Sequence, residues 1–286
     1  MNHPKPPLGA TVDGNELARK AVAGDNAALA QLVDLLRGDV YRLALRMLGH
    51  PADAEDAAQE ALVQIVTSLG SFRGESSVRT WAFRIASRHY MRFRVGRYEG
   101  MVESFDSIDQ VMALHEKVPP VSFNDAETRV LAVQVMNNCV SAILLALSRD
   151  ERLAYALAEI FGFSGPDCAE ILEVDAATFR KRLQRGRAAL EAYMHRACGL
   201  VNADNACRCA RQIPVHVAMD FIQPEQLLAR RREQPSTSAV DPERLRHMAE
   251  IERVACLFRD DVEDAPETLA AKMRAFIGRG GLAALQ

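Results

Sequence analysis

Between Asn26 and Leu48 the apolar residues fall at Leu29, Leu32, Val33, Leu36, Val40, Leu43 and Met47. Steps of three and four place them on one face of a helix. Gly49 and Pro51 end that helix. An earlier helix start is predicted at Asp13, where Asp13 and Glu16 have the spacing of a capping box. The next segment, "ADAEDAAQEALVQIVTSL", carries a stripe of Ala58, Ala61, Leu62, Ile65 and Leu69. Asp53, Glu55, Asp56 and Glu60 crowd its first turns, which complements a helix N-terminus. A polar "FRGESS" loop follows, and Ser76 or Ser77 caps a helix running to about Arg94 with Val78, Trp81, Ala82 and Ile85 inward.

From Val95 to about Ala126 the periodicity fades, and "EKVPPVSFND" reads as a linker. A second helical unit spans about 127–196. Beyond it lie an irregular piece, "ACGLVNADNACRCARQ", a Ser/Thr/Pro linker, "EQPSTSAVDP", and two short helices near Pro242–Phe258 and Pro266–Ile277. No strand alternation and no internal repeat occurs. The expectation is an all-α chain: helical domains over 14–97 and 127–196, a linker over 98–126, and a small, mostly helical C-terminal extension over 197–286.

Within the second unit, Ser164 precedes a short helix with Pro166 in its first turn. "EVDAA" makes a turn, and Asp175 or a neighbour caps a longer helix from Ala176 to about Met194. Two helices joined by a tight turn, the second basic, make a helix-turn-helix. Phe179, Leu183 and Leu190 face its core. Arg180, Lys181, Gln184, Arg185 and Arg187 are left facing out, as donors for phosphates and base edges.

Charge sharpens this picture. The 286 residues carry 35 Lys+Arg against 38 Asp+Glu, a net charge of -3. Yet Phe72–Arg97 holds seven Arg against the single acid Glu75, and Thr178–Arg211 holds eight Lys+Arg against Glu191 and Asp204. His50–Glu60 holds four acids and no Lys or Arg. Two basic patches and one acidic patch point to a polyanion ligand and a separate basic partner. With 49% hydrophobic and 26% charged residues the composition is that of a soluble globular protein. The N-terminus lacks the apolar run of a signal peptide, and the stretch "VSAILLAL" is too short to span a bilayer. A cytoplasmic protein without a membrane partner is expected. No Gly-rich phosphate loop, nucleophile elbow or His/Asp metal-catalytic spacing occurs, so an enzyme is not expected.

"DAEDAAQEALVQIVTSLGSFRGESSVRTWAFRIASRHY" (Asp53–Tyr90) resembles region two of the extracytoplasmic-function (ECF) sigma factors of bacterial RNA polymerase. "LSRDERLAYALAEIFGFSGPDCAEILEVDAATFRKRLQRGRAAL" (Leu147–Leu190) resembles their region four. The likeness covers roughly two thirds of the chain. It implies a factor that directs core polymerase to promoters and helps open the DNA. It implies that Asp53, Asp56, Gln59 and Glu60 dock on the polymerase core. It implies that Arg73, Ser76, Ser77, Arg79, Arg84, Arg88 and Arg92 meet the minus-ten promoter element. Phe83, Tyr90 and Phe93 would stack on unpaired bases, while Trp81 reads as core. Thr178, Arg180, Lys181, Gln184, Arg185 and Arg187 would meet the minus-thirty-five element. An anti-sigma factor is a further partner that the resemblance admits. The alternative is a free-standing helix-turn-helix regulator, which needs neither the acidic helix nor the first basic patch. Two positions depart from the family pattern: Leu147-Ser148 stands where Leu-Pro is frequent, and Glu173 stands at the turn where Gly is usual.

The six cysteines of such a chain argue against a disulfide framework. His195, Cys198, Cys207 and Cys209 supply four soft ligands, enough for zinc. A reversible thiol switch and an incidental role stand beside that reading, and nearby Arg196, Arg208 and Arg211 would favour thiolates. Cys139, Cys168 and Cys256 lie in apolar surroundings and read as core. No cofactor is required by anything else in the chain. The tail after Met194 reads as a built-in regulator or a partner-binding segment.

Overall fold

A computed structural model describes residues 13–233, 254, 256–258 and 265–278. Among these the regular elements are all helices. In the first unit α1 (Gly14–Val22), α2 (Asn26–Leu48), α3 (Pro51–Thr67) and α4 (Val78–Arg92) pack around one core. All the apolar residues assigned to the α2 and α3 stripes are buried. Asp13 caps α1 through the Asn15 amide at 3.0 Å, but the capping box does not close, because Glu16 pairs with Arg19 and Lys20 instead. Asn15 then turns its Oδ1 to the Val78 amide at 2.7 Å, which fixes the start of α4. Gly49 ends α2 at φ 73°, and a Cβ there would run into the Leu145 side chain. Glycine is needed at that position both for the left-handed backbone and for the close approach.

The second unit contains α7 (Asp125–Leu145), α8 (Arg149–Tyr155, continued by one π turn over Ala156–Ile160), α9 (Gly165–Leu172) and α10 (Ala176–Ala197). By length and composition α7 could cross a membrane. Here Leu131, Val135, Met136, Val140, Ile143, Leu144 and Leu145 bury it in the protein instead.

The segment 98–126 is more ordered than its faded periodicity suggests. It holds most of α5 (Arg97–Met101) and α6 (Phe105–Ala113). Glu99 of α5 is buried and accepts from Arg149 Nε and Arg152 Nη1, both at 2.9 Å. Arg149 also donates to the Phe93 carbonyl at 2.8 Å, and Arg152 to the Leu145 and Leu147 carbonyls at 2.8 and 3.0 Å. One acid thus ties α4, α5, α7 and α8 together. Burial raises the Glu99 carboxyl pKa. The Arg149 hydrogen bond and the Arg152 charge outweigh that and hold it below the usual range. Farther along, Phe105 of α6 stacks on Tyr193 of α10 with ring centroids 4.7 Å apart, and Asp109 accepts from the Tyr193 hydroxyl at 2.9 Å.

The piece after α10 also folds. A 3-10 turn (Cys209–Gln212), α11 (Ile213–Ala218) and α12 (Pro224–Glu233) lie against α7, with Ile213 and Ile222 buried on Leu131 and Val135. The Ser/Thr/Pro linker after Glu233 and most of the helix read over Pro242–Phe258 lie outside the described residues. Val254, Leu257 and Phe258 are buried, and Phe258 meets Tyr155 edge-on at 5.5 Å. The last helix, α13 (Glu267–Gly278), packs across α2 and α3. Leu269 and Met273 are buried and Phe276 and Ile277 partly so, the face read from sequence.

Candidate nucleic-acid and polymerase interface

The helix-turn-helix forms as its local sequence dictates. Ser164 caps α9 with Pro166 in the first turn. Asp175 caps α10 through the Ala177 and Thr178 amides, both at 2.8 Å. The Thr178 hydroxyl donates to Asp175 at 2.7 Å, so that side chain serves the cap. Phe179, Leu183 and Leu190 are buried. Arg180, Lys181, Gln184 and Arg185 are exposed along one helix, a row of donors suited to a groove. Arg187 is also exposed but is paired with Glu159 in the π turn that continues α8.

The other basic patch is arranged differently. Ser77 caps α4 through the Thr80 amide at 3.0 Å, which occupies its hydroxyl, whereas Ser76 is half-buried in the loop and Arg73 is exposed. Arg79 donates to Asp39 at 2.8 Å and to the Phe161 carbonyl at 3.4 Å. Its guanidinium stands 4.3 Å over the Phe163 ring and 5.0 Å over Phe83. Burial raises the Asp39 carboxyl pKa, and Arg79 and Arg42 more than reverse this. Arg88 Nε donates to Glu173 at 3.2 Å. The charges of Arg84 and Arg92 act on the same carboxylate, whose pKa is lowered first by the Arg88 hydrogen bond. The helix-turn-helix turn therefore engages the basic stripe of α4 at Arg88, while Arg88 and Arg92 stay exposed.

Two aromatic expectations are corrected. Phe83 is fully buried, 5.1 Å from Phe161 and 4.7 Å from Phe163, because the second unit packs over it. Tyr90 is also fully buried, and its hydroxyl donates to the Val40 carbonyl at 2.9 Å. Phe93 is half-buried against His89 at 5.5 Å. Trp81 is core, as read, and leans on Phe72 at 5.5 Å.

On α3, Asp53 accepts from Arg94 at 3.2 Å and is largely covered, and Gln59 is half-buried. Asp56 and Glu60 are exposed, with Glu60 3.4 Å from His89 Nε2. Burial pulls the His89 pKa down against the Glu60 charge. Glu55, outside the set read from sequence, pairs with Lys272 of α13 at 2.8 Å.

Of the four residues read as one metal set, Cys198, Cys207 and Cys209 lie close enough to act on one another. His195 is exposed on the last turn of α10, while Cys198 caps that helix. Among the described residues no group of three or more His, Cys, Asp or Glu is placed to hold a metal ion. Cys139 of α7, read as core, is partly buried against the core and also neighbours the segment: burial first and then Cys198, Cys209 and Cys207 raise its thiol pKa. Cys168 and Cys256 are buried, as read.

Sequence reasoning missed Phe161, Phe163, Asp39 and Glu99. Glu173 was visible only as an acid at a turn where glycine is usual, and the Phe-Gly-Phe before the helix-turn-helix was the one signal for its apolar flank.

Two family descriptions match the chain: Sigma-70 region 2 over residues 32–97, and Sigma-70, region 4 over residues 137–190. The "ECF RNA polymerase sigma factor SigW" of Bacillus subtilis is 30% identical over 179 residues, 58% of this chain and 89% of that protein. The "RNA polymerase sigma-H factor" of Pseudomonas aeruginosa is 27% identical over 176 residues, 62% of this chain and 91% of that protein. Among solved structures, CnrH in complex with the cytosolic domain of CnrY covers 68% of this chain and 100% of its own at 23% identity, with a TM-score of 0.46. Both matched regions carry their elements in order, the acidic α3 and basic α4 in the first and the helix-turn-helix in the second, and the chain belongs to the ECF sigma factors of RNA polymerase.

Proposed function

We propose a division of labour among the residues through which this sigma factor directs core RNA polymerase to promoters and helps open the DNA. The acidic start of α3, with Asp53, Asp56, Gln59 and Glu60, docks on the polymerase core. Exposed carboxylates beside basic patches repel DNA and attract a basic protein surface. Arg180, Lys181, Gln184 and Arg185 of α10 read the minus-thirty-five element, by bidentate contacts to bases and by phosphate contacts. Arg73, Arg79, Arg84, Arg88 and Arg92 track the minus-ten strand.

The free chain is closed. The observation that carries this reading is the ion pair of Arg88 with Glu173, backed by Phe83 between Phe161 and Phe163. A carboxylate sits where a DNA phosphate would sit, so the minus-ten helix is free for DNA only after the two units separate. Tyr90 stays bonded inside the first unit. Capturing unpaired bases offsets an unstacking cost of a few kcal/mol per base.

The test is transcription from a promoter library by purified core polymerase with and without the chain. Start sites downstream of a shared two-part motif support the reading. Unchanged polymerase output, with duplex DNA retarded by the chain alone, overturns the docking roles.

A further inference from the structure

We propose that α13 and core polymerase compete for one surface, the face formed by α2 and α3, so that the C-terminal helix is an intramolecular occupant of the docking site. This rests on the docking role given to the acids of α3. The fit of α13 is both apolar and charged. Leu269, Ala270 and Met273 are buried against the first unit. Lys272 Nζ lies 2.8 Å from Glu55 Oε1, Thr268 bonds the same carboxylate, and the Lys272 charge also acts on Asp56. Glu267 and Arg274 pair with each other on the exposed side of α13 at 2.5 Å, and the charges of Arg37 and Asp34 act on them only secondarily. Lys272 thus meets its opposite on α3 and supplies the cation that the acidic patch predicts in a partner. Asp56 itself stays exposed, so α13 occupies the edge of this face at Glu55, and a protein surface seated on Asp56 and the neighbouring turns of α3 would meet Lys272 there.

A covered docking face lowers the apparent affinity for polymerase by the fraction of chains in which it is free. Loosening α13 therefore tightens binding without adding any contact to the polymerase.

The experiment measures the affinity of the full-length chain for core RNA polymerase by fluorescence anisotropy. Five chains are compared: the unaltered one, Leu269→Asp, Lys272→Glu, Asp56→Arg, and Leu269→Asp combined with Asp56→Arg. Leu269→Asp puts a charge into the buried contact of α13, so it is expected to tighten binding about tenfold. Lys272→Glu alters an exposed ion pair without touching the core, and about threefold is expected. Adding Asp56→Arg is expected to abolish the gain. If Leu269→Asp and Lys272→Glu bind no tighter while Asp56→Arg weakens binding, the competition is refuted and the docking role stands. If Asp56→Arg leaves the affinity unchanged, the docking role falls, and the proposal with it. Lys272→Glu keeps the comparison decisive should Leu269→Asp disturb the fold.

Discussion

Glu173, in the turn of the helix-turn-helix, holds Arg88 of the minus-ten helix, with Arg88 Nε donating to its carboxylate at 3.2 Å. Glu173 reaches that position from a left-handed backbone, φ 54°, a conformation that costs a non-glycine residue about 1 kcal/mol. A glycine would form the turn more easily but could not reach α4. The departure from the family pattern at this position thus has a physical counterpart: an acid in the turn bonds the two DNA-reading units to each other.

Glu173→Gly tests that bond. The exposed pair is worth about 0.2–1 kcal/mol and the relieved backbone strain is of similar size, so the melting temperature should move little. Binding of the free chain to a labelled single-stranded oligonucleotide pool should tighten about threefold, read by anisotropy, because Arg88 is released from its carboxylate. Unchanged binding would count against the closed state as a brake on DNA contact.

Glu99 gives a stability prediction. Removing the acid leaves Arg149 and Arg152 without their charge partner in a buried site, and breaking such a group costs about 3–5 kcal/mol. Glu99→Gln should lower the urea midpoint by a corresponding amount. The folded pKa of Glu99 is depressed, so its contribution is complete above the unfolded carboxyl value, about 4.3, and is lost as pH falls through the folded one. The unaltered protein should therefore lose stability in acid more steeply than Glu99→Gln. Parallel pH curves would refute the assignment.

On α10 the residues divide by task. Arg180→Ala or Gln184→Ala should relax selectivity at one promoter position, at about 1–3 kcal/mol for a bidentate base contact. Arg185→Ala should weaken all promoters alike and reduce the salt slope of binding by about one. Binding measured across promoter variants at several salt concentrations separates the two classes.

The thiols around Cys139 give a prediction in alkali. Burial, with neighbouring cysteines, raises Cys207 to about 11 and Cys209 to about 12. Alkylation by iodoacetamide should be slow at pH 7 and rise tenfold per pH unit past pH 9, without the plateau of an ordinary thiol near 8.5. Because the folded values lie above the unfolded one, the stabilisation is complete below about 8.5 and is lost as pH rises toward the folded values. A plateau below pH 9 would show these thiols to be less covered than described.

Local order was legible in the sequence, and mutual order was not. The stripes of α2, α3 and α10 announced themselves because a helix face repeats every three to four residues and each stripe is buried within its own unit. The exposed donors of α10 followed from the same count. Phe83 and Tyr90 were misjudged because they lie off the main stripe of α4. What buries Phe83 is Phe161 and Phe163, nearly eighty residues away, and no periodicity records such a contact. Glu99 went unnoticed for a related reason: α5 is one short turn, too brief to show a period, and its meaning comes from two arginines fifty residues on. The cysteine segment showed its sulfurs but not their partner, since Cys139 comes from α7.

The most direct test of the account is the separation of the two units in solution. Donor and acceptor dyes on noncanonical residues at Ser71, before α4, and Ala188, on α10, report it by energy transfer. The account predicts high transfer in the free chain, a marked fall when core polymerase is added, and a partial fall in Glu173→Gly without polymerase. Low transfer in the free chain, or transfer unchanged by polymerase, would contradict it.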